Sequence, residues 1–169
     1  MNISTIKWKC LDKLPEVEII TPNIRDAVLL QNNYAGCVSE TTAVMTYMYQ
    51  SYVIKPFDEE IATLFEKIAI QEMHHHDALG NCITALGGNP IIASGGRYWT
   101  GKNVYYSTNL KEMLISNIES EQQAIDGYRY TIDKLNTPCI AVLLEAIIDD
   151  EKIHIQAFKE ILEYITFWK

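Results

Sequence analysis

The sequence predicts an all-α protein: a four-helix bundle of two antiparallel helical hairpins, with a long crossover between helices two and three. Three observations carry this. Apolar residues recur at three-and-four spacing over most of the chain from residue 22 onward. The helical stretches are each roughly 27 to 33 residues, about 40 to 50 Å at ~1.5 Å per residue, a length suited to a bundle rather than to globin-like packing. The second half of the chain also repeats the first, Glu121 lying 81 residues after Glu40 and Glu151 lying 79 after Glu72.

Residues 1–20 form an N-terminal extension, in which Trp8 and Ile19-Ile20 are expected to dock on the bundle or on a neighbouring subunit; 21–169 form the bundle domain. The first helix is expected from about 22 to 54, with Thr21 as N-cap and Pro22 in the first turn, ending before Pro56 because the residue preceding a proline resists helical geometry. The second begins at Asp58-Glu59 and ends near 86, where Gly87-Gly88-Asn89-Pro90 terminates it. The third spans 109–135, and the fourth spans 138–167 behind Thr137-Pro138. Connections of a few residues make each pair a hairpin. Between the pairs, residues 87–108 carry Tyr98, Trp99, Tyr105 and Tyr106 and are too long for a tight turn, so they cross the height of the bundle with their aromatics packed outside.

Composition excludes several function classes. A chain of 169 residues is about one domain and can bury a core without disulfides. With 22 acidic against 14 basic residues, a net charge of -8 and no basic cluster, it is a poor nucleic-acid or anionic-membrane binder. The N-terminus is broken by charge before an apolar signal core can form, and no stretch approaches the ~18 apolar residues of a membrane span. Cys10, Cys37, Cys82 and Cys139 form no CxxC pair, which argues against a disulfide framework or a zinc ribbon and fits a reduced, cytoplasmic setting.

The repeat carries the chemistry. Glu40 and Tyr47 in the first helix correspond to Glu121 and Tyr128 in the third, and Glu72-Met-His-His75 in the second corresponds to Glu151-Lys-Ile-His154 in the fourth. All six Glu and His lie on apolar stripes. Glu40 lies among Asn33, Cys37, Val44, Tyr47 and Ile54, and Glu121 among Leu114, Ile118, Ile125, Tyr128 and Ile132. Glu72 and His75 sit between Ile68 and Leu79, Glu151 and His154 between Ile147 and Phe158. Four inward carboxylates cost several kcal/mol each unless protonated, paired or metal-bound, and no Lys or Arg lies on these stripes. Two divalent ions balance four carboxylates and two neutral imidazoles, and would bring the formal charge to about -4. Chance predicts only about 0.3 Glu-x-x-His matches in a chain of this composition, whereas two fall in register with the repeat.

On these residues, 22–167 resembles the ferritin-like superfamily of dinuclear carboxylate proteins, which includes rubrerythrins, bacterioferritins and manganese catalases. The resemblance implies Glu40 and Glu121 as terminal ligands, Glu72 and Glu151 as bridging ligands, and His75 and His154 as one imidazole for each of two Fe or Mn ions. It implies that Tyr47 and Tyr128 hydrogen-bond across to ligand carboxylates and that Asp150 orients His75, whereas Gln71, the counterpart of Asp150, does not match that role for His154. Two departures from the rubrerythrin pattern stand out: there is no rubredoxin-type CxxC pair, and Ala124 replaces an extra glutamate. Met73 stands where bacterioferritins bear a haem-ligating methionine, but a lone Met more often packs at a helix interface, and haem is not expected.

The implied activity is redox chemistry on peroxide or dioxygen, with hydrogen peroxide removal, peroxidase- or catalase-like, as the leading reading. A peroxidase needs an external electron donor such as a rubredoxin. The alternative is a ferroxidase or iron-storage subunit, and in either case a homo-oligomer is expected. His74 and His76 are expected at the surface or an interface, and Cys37 as a buried inert thiol near the site.

Overall fold

The computed structural model describes residues 3–10, 13–19 and 21–167. Among the described residues five α-helices follow one another: α1 (Ile24–Ala35), α2 (Glu40–Ile54), α3 (Glu59–Ala85), α4 (Leu110–Lys134) and α5 (Pro138–Phe167). α2 packs chiefly on α3, and α4 on α5, so the two hairpins form as expected. No helix among the described residues is long and apolar enough to cross a membrane.

Most boundaries have a local cause. Asp58 accepts from the Ile61 N–H at 3.0 Å and starts α3, Asn109 accepts from Glu112 N–H at 3.2 Å and starts α4, and Pro138 opens α5. The first helix departs from expectation twice. Its N-cap is Asn23, which accepts from Asp26 N–H, rather than Thr21. It is also not one rod but two, broken at 36–39. There the Ser39 hydroxyl donates to the Gly36 carbonyl at 2.8 Å and its oxygen caps the Thr42 N–H, so α2 starts afresh at Glu40. Gly36 permits the break, since a Cβ on it would lie 2.5 Å from the Asn32 carbonyl oxygen. The break also corrects the reading of Cys37, which is exposed rather than buried because the stripe it was assigned to is interrupted there.

The crossover contains a small hairpin not anticipated from helical periodicity. β1 (Ala93–Ser94) pairs antiparallel with β2 (Arg97–Tyr98) around Gly95 and Gly96, whose φ angles of 56° and 75° suit a two-residue turn. Beyond it, the Trp99 indole donates to Thr42 Oγ1 at 2.9 Å and Tyr106 meets Tyr49 edge-on at 4.9 Å, pinning the crossover to the outside of α2.

The apolar core consists of two clusters. One gathers Tyr47, Ile54, Phe65, Ile68, Met113, Leu114, Phe158 and Ile161. The other gathers Leu30, Leu79, Ile83, Ile125, Tyr128, Leu143 and Ile147. Each such aliphatic or aromatic side chain contributes roughly 1.5–3 kcal/mol on burial. In α3, α4 and α5 the chain leaves one cluster and enters the other across Glu72 and His75, Glu121, and Glu151 and His154; Glu40 lies between α1 in one cluster and Tyr47 in the other. The polar residues therefore form a layer between two apolar halves. From the N-terminal segment, Ile3, Ile6 and Trp8 pack on the first cluster, and Leu14, Val17 and Ile19 on the second; Ile20 lies outside the described residues.

Candidate metal centre

All six Glu and His residues converge in the layer between the clusters, each at most 3% exposed. His75 Nδ1 lies 2.9 Å from Glu72 Oε2, 3.4 Å from Glu151 Oε1 and 3.6 Å from Glu40 Oε2. His154 Nδ1 lies 2.9 Å from Glu72 Oε1, 2.9 Å from Glu151 Oε2 and 3.4 Å from Glu121 Oε1. Glu72 and Glu151 thus each turn one oxygen to either imidazole, while Glu40 and Glu121 serve one side each. Two groups result, Glu40–Glu72–His75–Glu151 and Glu72–Glu121–Glu151–His154, with the ligand atoms of each within 4.8 Å of one another. The imidazole centroids are 6.1 Å apart.

This donor set fits a pair of divalent ions. Glu40 Oε2, Glu72 Oε1, Glu151 Oε2 and His154 Nδ1 are fully buried and have no hydrogen-bond partner among the described residues, although His154 Nδ1 is 2.9 Å from two of those oxygens. Atoms so close that do not aim at one another are arranged as ligands about a third point, and leaving them bare would cost about 1–3 kcal/mol each. Mixed oxygen and imidazole donors suit Fe and Mn alike.

Protonation follows the same layout. Burial first, then the neighbouring Glu72 carboxylate, push Glu40 well above the usual carboxylate range; the same two causes push Glu121 up to about 8. Burial opposes ionisation of Glu72 as well, but the adjacent His154 and His75 outweigh it and hold Glu72 low. Burial would lower both imidazoles, yet the carboxylates around them raise His75 and His154 well above the ordinary histidine value. Without ions, protons take up the positive charge that the carboxylates require.

Tyrosine, aspartate and glutamine side chains surround the six residues. The Tyr47 hydroxyl donates to Glu121 Oε1 at 2.6 Å, and that of Tyr128 donates to Glu40 Oε1. Asp150 Oδ2 is 3.0 Å from His75 Nε2, and Gln71 Nε2 donates to the same oxygen at 2.9 Å. His74 is exposed, His76 is half-buried and stacks on Tyr34 at 4.1 Å, and Met73 is 44% exposed on α3.

Two features escaped the sequence. A cavity of about 300 Å³ between α2 and α4 has Glu40, Glu72, Glu121 and Glu151 at its base, small polar Thr42, Thr46, Ser116 and Ser120 in its wall, and crossover residues 102–105 over it. Cys37 and Ala124 also line it. Asp26, fully buried, accepts from the Asn136 N–H at 2.9 Å and the Thr137 hydroxyl at 2.7 Å, fastening α1 to the turn between α4 and α5. Of these only the cavity had a signal, in Ala124, a small residue one turn from a glutamate. The mismatch of Gln71 with the role of Asp150, read from the sequence, is met here: His154 Nε2 is buried with no partner among the described residues.

Residues 34–162 match the sequence profile of the Rubrerythrin family. A probable manganese catalase from Clostridium acetobutylicum is 26% identical over 172 residues, spanning 89% of this chain and 76% of that protein. A bacterioferritin from Desulfovibrio desulfuricans is 28% identical over 130 residues, 75% of this chain and 69% of that protein. Among solved structures, a manganese catalase from Anabaena superimposes with a TM-score of 0.85 over 95% of this chain and 81% of its own, at 22% identity. The Desulfovibrio desulfuricans bacterioferritin does so with a TM-score of 0.70 over 85% and 81%, at 25% identity.

Proposed function

Because the chain belongs to the Rubrerythrin family, we propose that it is a dinuclear metal oxidoreductase that removes hydrogen peroxide, with Glu40, Glu72, His75, Glu121, Glu151 and His154 holding two Mn or Fe ions. The observation that carries this is the division of Glu72 and Glu151 between two imidazoles, which builds two ligand groups sharing two carboxylates. When bound, such a pair supplies two electrons, one from each ion, to the O–O bond. The manganese catalase relatives favour disproportionation, in which two peroxide molecules give two waters and dioxygen without an external donor.

The chain's own residues provide access and restraint. The cavity, about 300 Å³ and lined by crossover residues 102–105, is large enough to admit a small polar molecule to the four glutamates. Tyr47 and Tyr128 hold the terminal carboxylates from across the bundle, and Asp150 orients His75. Val28 and Tyr98, exposed at 68% and 79%, line one groove together with the exposed Ile24 and Ile91, and this shared apolar surface supports self-association.

The test is dioxygen evolution from peroxide by metal-loaded protein without added reductant. Glu72→Ala and His154→Ala are each expected to lower both metal content and turnover, turnover by more than the about 10- to 100-fold that loss of a ligand's outer hydrogen-bond partner costs. Unchanged metal content and turnover in both variants would contradict the assignment. A ferroxidase or storage subunit is the second reading, favoured by the bacterioferritin relative; a native mass of a many-subunit cage together with Fe(II) oxidation would replace the first.

A further inference from the structure

The two ligand groups match in their glutamates but not in what stands behind their imidazoles. His75 Nε2 meets Asp150 Oδ2 at 3.0 Å. Asp150 is fully buried and itself fixed, accepting from Gln71 Nε2 at 2.9 Å and from the backbone N–H of Cys10 in the N-terminal segment. His154 Nε2, also fully buried, has no partner among the described residues. With Nδ1 turned to the glutamates to serve as ligand, Nε2 carries the ring proton, so an acceptor is provided on one side and lacking on the other.

The repeat shows how this arose. Gln71 occupies the position in α3 that Asp150 occupies in α5, and a mirrored contact would run from Gln71 to His154. Instead its amide turns toward Asp150 and lies 3.4 Å from His75 Nε2, so both polar groups gather on one ring. The tyrosines do not offset the difference, because each terminal glutamate receives one hydroxyl.

Resting on the paired-metal reading above, we propose that the two metal positions are inequivalent: the His75–Glu40 position fills first and binds more tightly, and the His154–Glu121 position fills second and releases first. Asp150 is the positioning residue that sets the difference. An acceptor on the remote ring nitrogen fixes the imidazole and strengthens its ligating nitrogen, and loss of such a partner lowers metal affinity on the order of 10- to 100-fold.

The experiment titrates metal-free wild-type protein with Mn(II), following free ion by electron paramagnetic resonance and heat by calorimetry. Two steps separated by about 10- to 100-fold are expected, with an uncoupled Mn(II) signal at one equivalent. Anomalous scattering at the Mn edge, from crystals prepared at one equivalent, should place that ion beside His75. Asp150→Asn should weaken the first step and leave the second, closing the gap. Two equal steps, a single cooperative step, or a first ion beside His154 would each overturn the inequivalence while leaving the paired centre intact. Failure to bind any ion would overturn the centre itself. The wild-type titration decides the matter even if the variant does not fold.

Discussion

Each of the two tyrosines reaches from one hairpin to the carboxylate of the other. Tyr47 serves Glu121 and Tyr128 serves Glu40, and burial followed by the nearby Glu121 charge raises Tyr47 well above its ordinary value, so it remains a donor at any ordinary pH. In Tyr47→Phe the Glu121 oxygen loses this donor. We expect a loss of about 0.5–1.5 kcal/mol in the metal-free protein, read by denaturant unfolding, the net worth of one hydrogen bond where the cavity lets solvent reach the acceptor. The six Glu and His were legible in the sequence because they interrupt apolar stripes twice at the same spacing. Their partners were less so: Asp150 could be read by its place beside Glu151, but the bare Nε2 of His154 depends on which way Gln71 turns, and no spacing encodes a rotamer.

At the scale of elements, the break between α1 and α2 sets where Glu40 begins its helix. Periodicity ran through it undetected because Asn33, Val44 and Tyr47 keep helical phase on either side, and the Ser39 cap is hidden inside a pattern that reads as continuous. Gly36→Ala forces a Cβ against the Asn32 carbonyl, a backbone atom that cannot swing aside. We expect this to cost about 1–3 kcal/mol and to lower the melting temperature, with reduced metal content as Glu40 shifts. Ser39→Ala removes only the cap and should cost about 0.5–2 kcal/mol. The other boundaries were legible because Asp58, Asn109 and Pro138 act locally, whereas β1 and β2 are two residues each and announce themselves only through Gly95-Gly96.

For the whole molecule, the protonation of the central layer ties stability to pH. Glu121 has a folded-state value of about 8 against an ordinary 4.5, so between those limits the folded metal-free protein holds a proton that the unfolded chain has released. Stability from this group is therefore present below about 4.5 and declines as pH rises through about 8. The raised values of His75 and His154 act in the same direction, their contribution being lost as pH rises through those folded-state values. Scanning calorimetry of metal-free protein from pH 6 to 9 should show a falling melting temperature. Saturating Mn(II) should flatten that fall, since the ion replaces the protons, and its binding should release protons measurable in weakly buffered solution.

The glycine tip of the crossover hairpin carries a last consequence. Gly95 and Gly96 have open space around them, and the chain before them builds the α2–α3 hairpin while the chain after them builds the α4–α5 hairpin, the two meeting at a shared set of carboxylates. Covalent continuity there adds little that the interface does not already supply. A chain cut between Gly95 and Gly96 should reassemble from its two pieces. Because neither piece alone owns a complete ligand group, Mn(II) should tighten their association, making the metal pair act as a coupling between two polypeptides.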